Sequence, residues 1–375
     1  MSQKVLILGA GFGGLELSTA LSERFGEDAE VTLIDAADDF TFGFAKLDVL
    51  FGHAAGEQAR LPYSAVVKPG VRLLKETVTS IDPEARRVTT DAGSHDADVL
   101  VIALGADYDY AATPGLVEHG DEFYSLAGAE KLAPKVAAFT GGDVVIGVCG
   151  APFKCPPAPS ECALLMHDHL LSKGLREQST ITFAIPLGRP VPPSPETSDA
   201  LEAAFAERDI KLLTGRRLAS VGAGGAAVLD DGTELACDLL FGVPKHHAAK
   251  VAIDSGITED GYIAVDTSTL QTRWEGVYAL GDVATAGVPK AGVFAEGAAK
   301  VVAQSLIAKL EGGEPGRHLG QGTCYIEFGA GRIGSVDIDF LSGPEKTGIF
   351  NPPSEQQRVL KEQFGATRRS RWFGL

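Results

Sequence analysis

The sequence predicts an α/β protein of two Rossmann-like dinucleotide-binding domains with a small C-terminal α+β segment. Three stretches carry that reading. Near the start, the apolar residues 4–8 run into Gly9-Ala-Gly11-Phe-Gly-Gly14, then into Leu15, Leu17, Ala20 and Leu21 at helical spacing. A second strand, residues 31–34, ends at Asp35. Glycines in that turn let a diphosphate approach the helix N–H groups, and an acid about twenty residues on suits a ribose hydroxyl. Midway, residues 143–148 open another strand–turn–helix unit. Late in the chain, Gly276-Val-Tyr-Ala-Leu-Gly281-Asp282 is an apolar strand closing on Gly-Asp, followed by Pro289-Lys290-Ala291-Gly292 and a helical pattern over 293–310.

Taken in order, residues 40–52 alternate aromatics and glycines around Lys46 and Asp48, and are placed over one side of the cleft. Residues 71–81 and 86–90 read as paired strands, and 98–103 as a buried strand ending at Gly105. The chain leaves the first domain near Asp107. The second unit continues with strands at 180–185 and 210–213, a helix over 197–207, a proline-rich loop at 188–195, a hairpin around Asp230-Asp-Gly-Thr233 and a closing strand at 238–243. Strands at 323–328 and 332–340 and a helix over 355–364 complete the chain. Domain bounds follow: 1–108 and 262–312 form the first dinucleotide domain, 109–261 the second, and 313–375 the terminal segment.

A net charge of −17 over 375 residues excludes general nucleic-acid binding, which needs clustered Lys and Arg. No apolar run reaches the ~18 residues that span a bilayer, and the first strand starts too early for an export leader. A cytoplasmic protein is expected, and a homo-oligomer is the expected assembly. The basic, aromatic tail Arg368-Arg-Ser-Arg371-Trp372-Phe373 reads either as a solvated end or as an anchor on the inner face of the membrane, cations at phosphates and rings among headgroups.

The turn of the second unit is unsuited to a nucleotide. Between Gly147 and Glu161 it carries Pro152, Pro156, Pro157 and Pro159, which remove four backbone donors, and it holds a cysteine. Cys155 follows Lys154 and lies just before a helix that Pro159 can open; a cation and a helix N-terminus both favour thiolate. Five widely spaced cysteines do not make a disulfide framework. Cys149, Cys162 and Cys237 read as packing, with Cys149 a spare redox candidate. His167 and His169 fall on different helix faces and His246-His247 lacks neighbouring ligands, so no metal site is expected.

With these residues in hand, the chain resembles the sulfide:quinone oxidoreductase and flavocytochrome c sulfide dehydrogenase group of flavoproteins, whose fold is glutathione-reductase-like. The specific pieces are Lys154-Cys155-Pro-Pro-Ala-Pro-Ser-Glu161 and Thr323-Cys324-Tyr325. The resemblance implies an FAD held by Gly9, Gly11, Gly14, Asp35, Lys46, Val78, Gly105, Gly281, Asp282, Lys290, Ala291 and Gly292, with Asp282 on the ribityl chain. It also implies that Cys155 and Cys324 are joined, directly or through bridging sulfur, beside the flavin. Sulfide or polysulfide would attack one sulfur, the freed thiolate would pass electrons to the flavin, and Glu161 would accept protons. The acceptor implied is a quinone; alternatives are cytochrome c, or NADH as donor in a type II NADH:quinone oxidoreductase. Residues 40–52 hold no cysteine, unlike some quinone-reducing members and the dithiol reductases.

Overall fold

Residues 5–8 are apolar at every position, and only a strand covered on both faces buries such a run. In the computed structural model, which describes residues 3–375, Lys4–Leu8 is the middle strand of a five-stranded parallel sheet. Val5 and Ile7 face one core; Leu6 and Leu8 face another. The sheet order is Val277–Ala279, Val99–Ile102, Lys4–Leu8, Glu30–Asp35, Val71–Lys75. Leu8 lies opposite both Ile34 and Ile102, and Ala279 opposite Ile102, so the strands end level. The loops that follow them therefore gather along one edge, where open α/β sheets place ligands.

The second unit repeats the plan with four parallel strands in the order Ile210–Thr214, Ser179–Ile185, Gly142–Val148, Leu239–Val243. Its crossover helix, Ala158–Ser172, has Pro157 at its cap and Pro159 in its first turn, where a missing N–H costs nothing. A two-stranded antiparallel ribbon, Ala106–Asp109 with Lys245–Ala248, ties the two units together.

The stretch 71–81 is not one strand. Val71–Lys75 joins the parallel sheet, while Val78–Asp82 turns away into a small antiparallel sheet with Arg87–Thr90 and Ser94–Asp96. Between them the Glu76 carboxylate takes the Thr90 hydroxyl and meets the His95 ring, both at 2.7 Å, which fixes the bend. Gln321–Glu327, Ile333–Asp339 and Thr347–Asn351 form a terminal antiparallel sheet, one strand more than the sequence predicts. The extra strand contains Gly348 and is half exposed, so it carries no alternation to detect.

The tail departs most from expectation. Helix Glu355–Arg368 runs on past Phe364 into a further turn, Arg369–Phe373, that docks on the first unit. Trp372 is 0% exposed and Phe373 4%. Both rings face the protein interior, while Ser370, Gly374 and Leu375 stay exposed. The reason is charge pairing: Arg371 and Arg368 meet Glu16 and Glu296, carboxylates that are themselves buried. No helix of the described residues is long and apolar enough to cross a membrane.

Candidate active site

A cleft of about 320 Å³ opens where the first sheet's loops gather. Gly11, Lys46, Gly105, Gly281, Asp282, Ala291 and Gly292 line it, with Cys155 and Glu161 at one end. Behind it, Gly9 and Gly14 are packing glycines: a Cβ on Gly14 would sit 1.9 Å from the Gly9 carbonyl, and one on Gly9 would sit 2.4 Å from that of Ala103. Gly11 differs, since a Cβ there would meet nothing within 4 Å, which leaves its backbone open to a ligand. The Asp35 carboxylate accepts the Ala10 and Ala37 N–H groups, at 2.7 and 2.8 Å, and so braces the turn. Val78 stands in the small antiparallel sheet and does not line the cleft.

Three lysines surround Asp282, yet each donates to a backbone carbonyl: Lys290 to Asp282 itself at 2.6 Å, Lys46 to Tyr124 at 2.6 Å and Lys154 to Ala106 at 2.9 Å. The Asp282 carboxylate is thus left for a ligand's hydroxyl groups. Burial raises its pKa, and the charges of Lys154, Lys290 and Lys46 pull the other way. The same burial lowers Lys46 and Lys290 to about 8. Lys290 also stacks over Tyr262, 3.6 Å from the ring centre. An open glycine turn at a helix N-terminus, a free buried acid and a cationic wall fit a dinucleotide.

Cys155 and Cys324 arrive from different elements. Cys155 sits in the turn before helix Ala158–Ser172 with φ of +46°, a left-handed conformation unusual for a residue with a side chain. Its N–H donates to the Lys290 carbonyl at 2.7 Å, and its carbonyl accepts the Tyr124 hydroxyl at 3.3 Å, so contacts from outside the turn hold it there. Cys324 lies in strand Gln321–Glu327 and packs against the main core. The thiols are separate in this structure, and all five cysteines are free. They lie near enough that Cys324 opposes ionisation of Cys155, and the Glu161 charge opposes both.

Sequence reasoning expected Cys155 to be held as thiolate by Lys154 and the helix end. The structure reverses this. Burial pushes the Cys155 thiol well up, and Glu161 and Cys324 add to it; Lys46 offsets only part. Lys154 points elsewhere, over the Tyr108 ring at 4.3 Å. Burial likewise raises Cys324 to about 12. Burial thus disfavours the thiolate at both sulfurs, and each becomes a good nucleophile only as a proton leaves.

Glu161 can take one. It is in the first turn of its helix, where the dipole favours carboxylate, yet burial outweighs that and raises its pKa to about 7, against a lowering by Lys361 and the Glu327 N–H. That N–H donates to Glu161 Oε1 at 3.0 Å. A pKa near 7 suits proton exchange at neutral pH. Lys361, Glu327 and Asp48 surround it and open on a further cavity of about 680 Å³; of these, Lys361 and Glu327 were not found from the sequence. Lys361 belongs to a highly charged helix and carries no motif, so no local signal marks it.

Cys324 and Lys290 border a separate apolar cavity of about 750 Å³, walled by Pro152, Pro156, Pro157 and residues 190–195. Cys149 does not reach it: the thiol belongs to another cluster, with Val145 and Leu218. Cys162 is buried and Cys237 half-buried.

A dinucleotide cleft lined by a cysteine, with a second cysteine bordering the neighbouring cavity, suits a redox protein, and residues 3–300 match the family model described as pyridine nucleotide-disulphide oxidoreductase. The chain belongs to that family and is an oxidoreductase. Within it, the chain is 24% identical over 372 residues to the mitochondrial sulfide:quinone oxidoreductase of Mus musculus, covering 94% of this chain and 82% of the relative. It is 35% identical over 133 residues to the type II NADH:quinone oxidoreductase of Staphylococcus saprophyticus, which covers 35% of this chain and 33% of that one. The solved structure of the sulfide:quinone oxidoreductase from Aquifex aeolicus shares the fold with a TM-score of 0.88 at 21% identity, over 100% of this chain and 92% of that one.

Proposed function

We propose that the protein oxidises sulfide, or a related reduced sulfur compound, through Cys155 and Cys324 and passes the electrons by way of FAD to a quinone. One observation carries the reading: two thiols from distant segments and one carboxylate whose pKa burial raises converge between a dinucleotide cleft and an apolar cavity. The near full-length similarity to a sulfide:quinone oxidoreductase supports it.

Gly11, Gly281, Asp282, Ala291 and Gly292 would hold the FAD, with Lys46 and Lys290 beside it. When bound, FAD supplies two-electron acceptance next to the sulfurs. In the oxidised pair the Cys155 and Cys324 sulfurs are linked. Hydrosulfide attacks one of them, so that the link breaks, a persulfide forms on that cysteine and the other leaves as thiolate. The persulfide proton goes to Glu161, whose pKa near 7 lets it accept and return protons. Loss of two electrons then rejoins the sulfurs with one more sulfur atom between them. The proline-walled cavity beside Cys324 gives a lengthening, weakly hydrated sulfur chain room to extend.

An anaerobic titration tests this. Sulfide should bleach the flavin absorbance with about one equivalent per FAD, and decylubiquinone should restore it; a flavin that stays oxidised in excess sulfide defeats the reading. NADH is the second candidate donor because of the partial similarity to a type II NADH:quinone oxidoreductase. Against it, the turn where a nicotinamide nucleotide would sit is stiffened by four prolines, and the Cys155 N–H is already committed to Lys290. Bleaching by NADH but not by sulfide would reverse the assignment.

A further inference from the structure

The tail, expected to be either a solvated end or a membrane anchor, packs behind a residue that lines the dinucleotide cleft. Phe12 stands between Gly11 and Gly13 at the start of helix Phe12–Phe25 and lines the cleft. Its ring is enclosed edge-on by Phe40, Phe42 and Trp372, with centres 5.2, 5.6 and 5.4 Å away. The other side of the ring meets Gly292, the first residue of helix Gly292–Glu311, so closely that a Cβ there would fall 2.7 Å from it. Phe12 therefore fixes the spacing between the two segments that line the cleft from opposite ends of the sequence.

One turn along the same helix, Glu16 is completely buried. All three donors to its carboxylate come from the tail: Arg371 Nε at 2.9 Å, Arg371 Nη2 at 3.0 Å and the Trp372 indole N–H at 2.8 Å. Lys68 caps the arrangement by donating to the Arg371 carbonyl at 2.7 Å, and Arg371 Nη1 reaches Glu23 at 2.6 Å. Removing the tail would strand a buried carboxylate and open the ring cage together, and an unpaired buried charge drives local rearrangement.

We infer that Arg371 and Trp372 form a latch that holds the Gly9–Gly14 turn in its cofactor-binding shape by clamping Phe12 and Glu16 of the helix that follows. They are positioning residues, since their contacts are to the helix and the ring cage. The inference rests on the reading of the cleft as the FAD site. Its energetic content is preorganisation: a turn already in the bound conformation loses less freedom when the dinucleotide arrives.

The test is FAD retention, measured without any sulfur substrate. The holoprotein, a variant lacking residues 371–375, and the full-length variants W372A, W372F and E16Q are diluted into flavin-free buffer, and free-flavin fluorescence gives the release rate. Thermal unfolding of each apoprotein, with and without added FAD, gives the FAD-induced shift in Tm. Expected are release at least tenfold faster for the truncation and W372A, an intermediate rate for E16Q, and a W372F rate within about threefold of wild type because a ring is kept. The FAD-induced Tm shift should shrink in the same order. Equal losses of Tm in apo and FAD-loaded protein, with release unchanged within twofold, would show the tail to be ordinary packing and overturn the latch. If the truncated chain fails to fold, E16Q and W372A still decide, since both keep the rest of the tail. Wild-type protein that takes up no FAD would overturn the cofactor reading and the latch with it, whereas FAD held equally by every variant overturns the latch alone.

Discussion

The two parallel sheets put a strand-to-helix turn at the same place, Gly9–Gly14 after the middle strand of the first and residues 149–157 after the corresponding strand of the second. In the first turn the side-chain-free Gly11 faces an open cleft. In the second, prolines remove donors, and the Cys155 N–H is spent on Lys290 of the first unit. One strand-to-helix plan thus leaves an open backbone at the cleft in one copy and presents a thiol to that cleft in the other. The difference lies in side-chain content and hydrogen-bond commitment, with the strand order around both turns still that of a doubly wound sheet.

The largest test of this division is at the thiols. C155S and C324S should each slow flavin bleaching by sulfide by on the order of 10³-fold or more while leaving FAD content unchanged, as stopped-flow absorbance would show. Equal FAD with normal bleaching would erase the contrast between the turns. Next comes the acid between them. E161Q should lower the bleaching rate by roughly 10²-fold and remove the limb of the pH profile that rises through about 7.

The same residue gives a stability prediction with a definite sign. Its folded pKa is raised above the ordinary carboxylate range, so between about pH 4.5 and 7 the native state binds more protons than the unfolded chain, and stability falls as pH rises through that window. E161Q should abolish that fall, a difference on the order of 2–3 kcal/mol at pH 8 in urea unfolding. A smaller effect is expected in the first turn itself, where G14A forces a methyl against the Gly9 carbonyl and should weaken FAD binding by roughly tenfold or more without altering the thiols. Smallest is K361M: losing that cation should move the Glu161 limb up by about one pH unit, read from the same rate profile.

What the sequence made legible was local. Residues 4–14 announce strand, turn and helix because apolar run, glycines and helical spacing are contiguous, and Asp282 is marked by the Gly-Asp at the end of its strand. The thiol pair was legible only through resemblance, since nothing local to Cys324 places it near Cys155. Lys154 misled for an instructive reason: adjacency in sequence suggested a charge beside the sulfur, but the side chain leaves over Tyr108, and burial then sets the thiol's protonation. Arg371 and Trp372 looked solvent-facing because their partners Glu16 and Phe12 lie at the opposite end of the chain. Glu16, the one charged residue among the buried positions of its helix, was the overlooked sign that something basic must arrive to meet it.

The wall of the cleft has a consequence for biosynthesis. Gly11 and its turn are made before Cys155, and Cys155 before Cys324, Lys361 and Trp372. Until those later segments fold back, Phe12 lacks its Trp372 neighbour and Cys155 lacks Cys324. On the proposed reading, a fragment ending before residue 324 should fail to react with hydrosulfide even where its first sheet has folded.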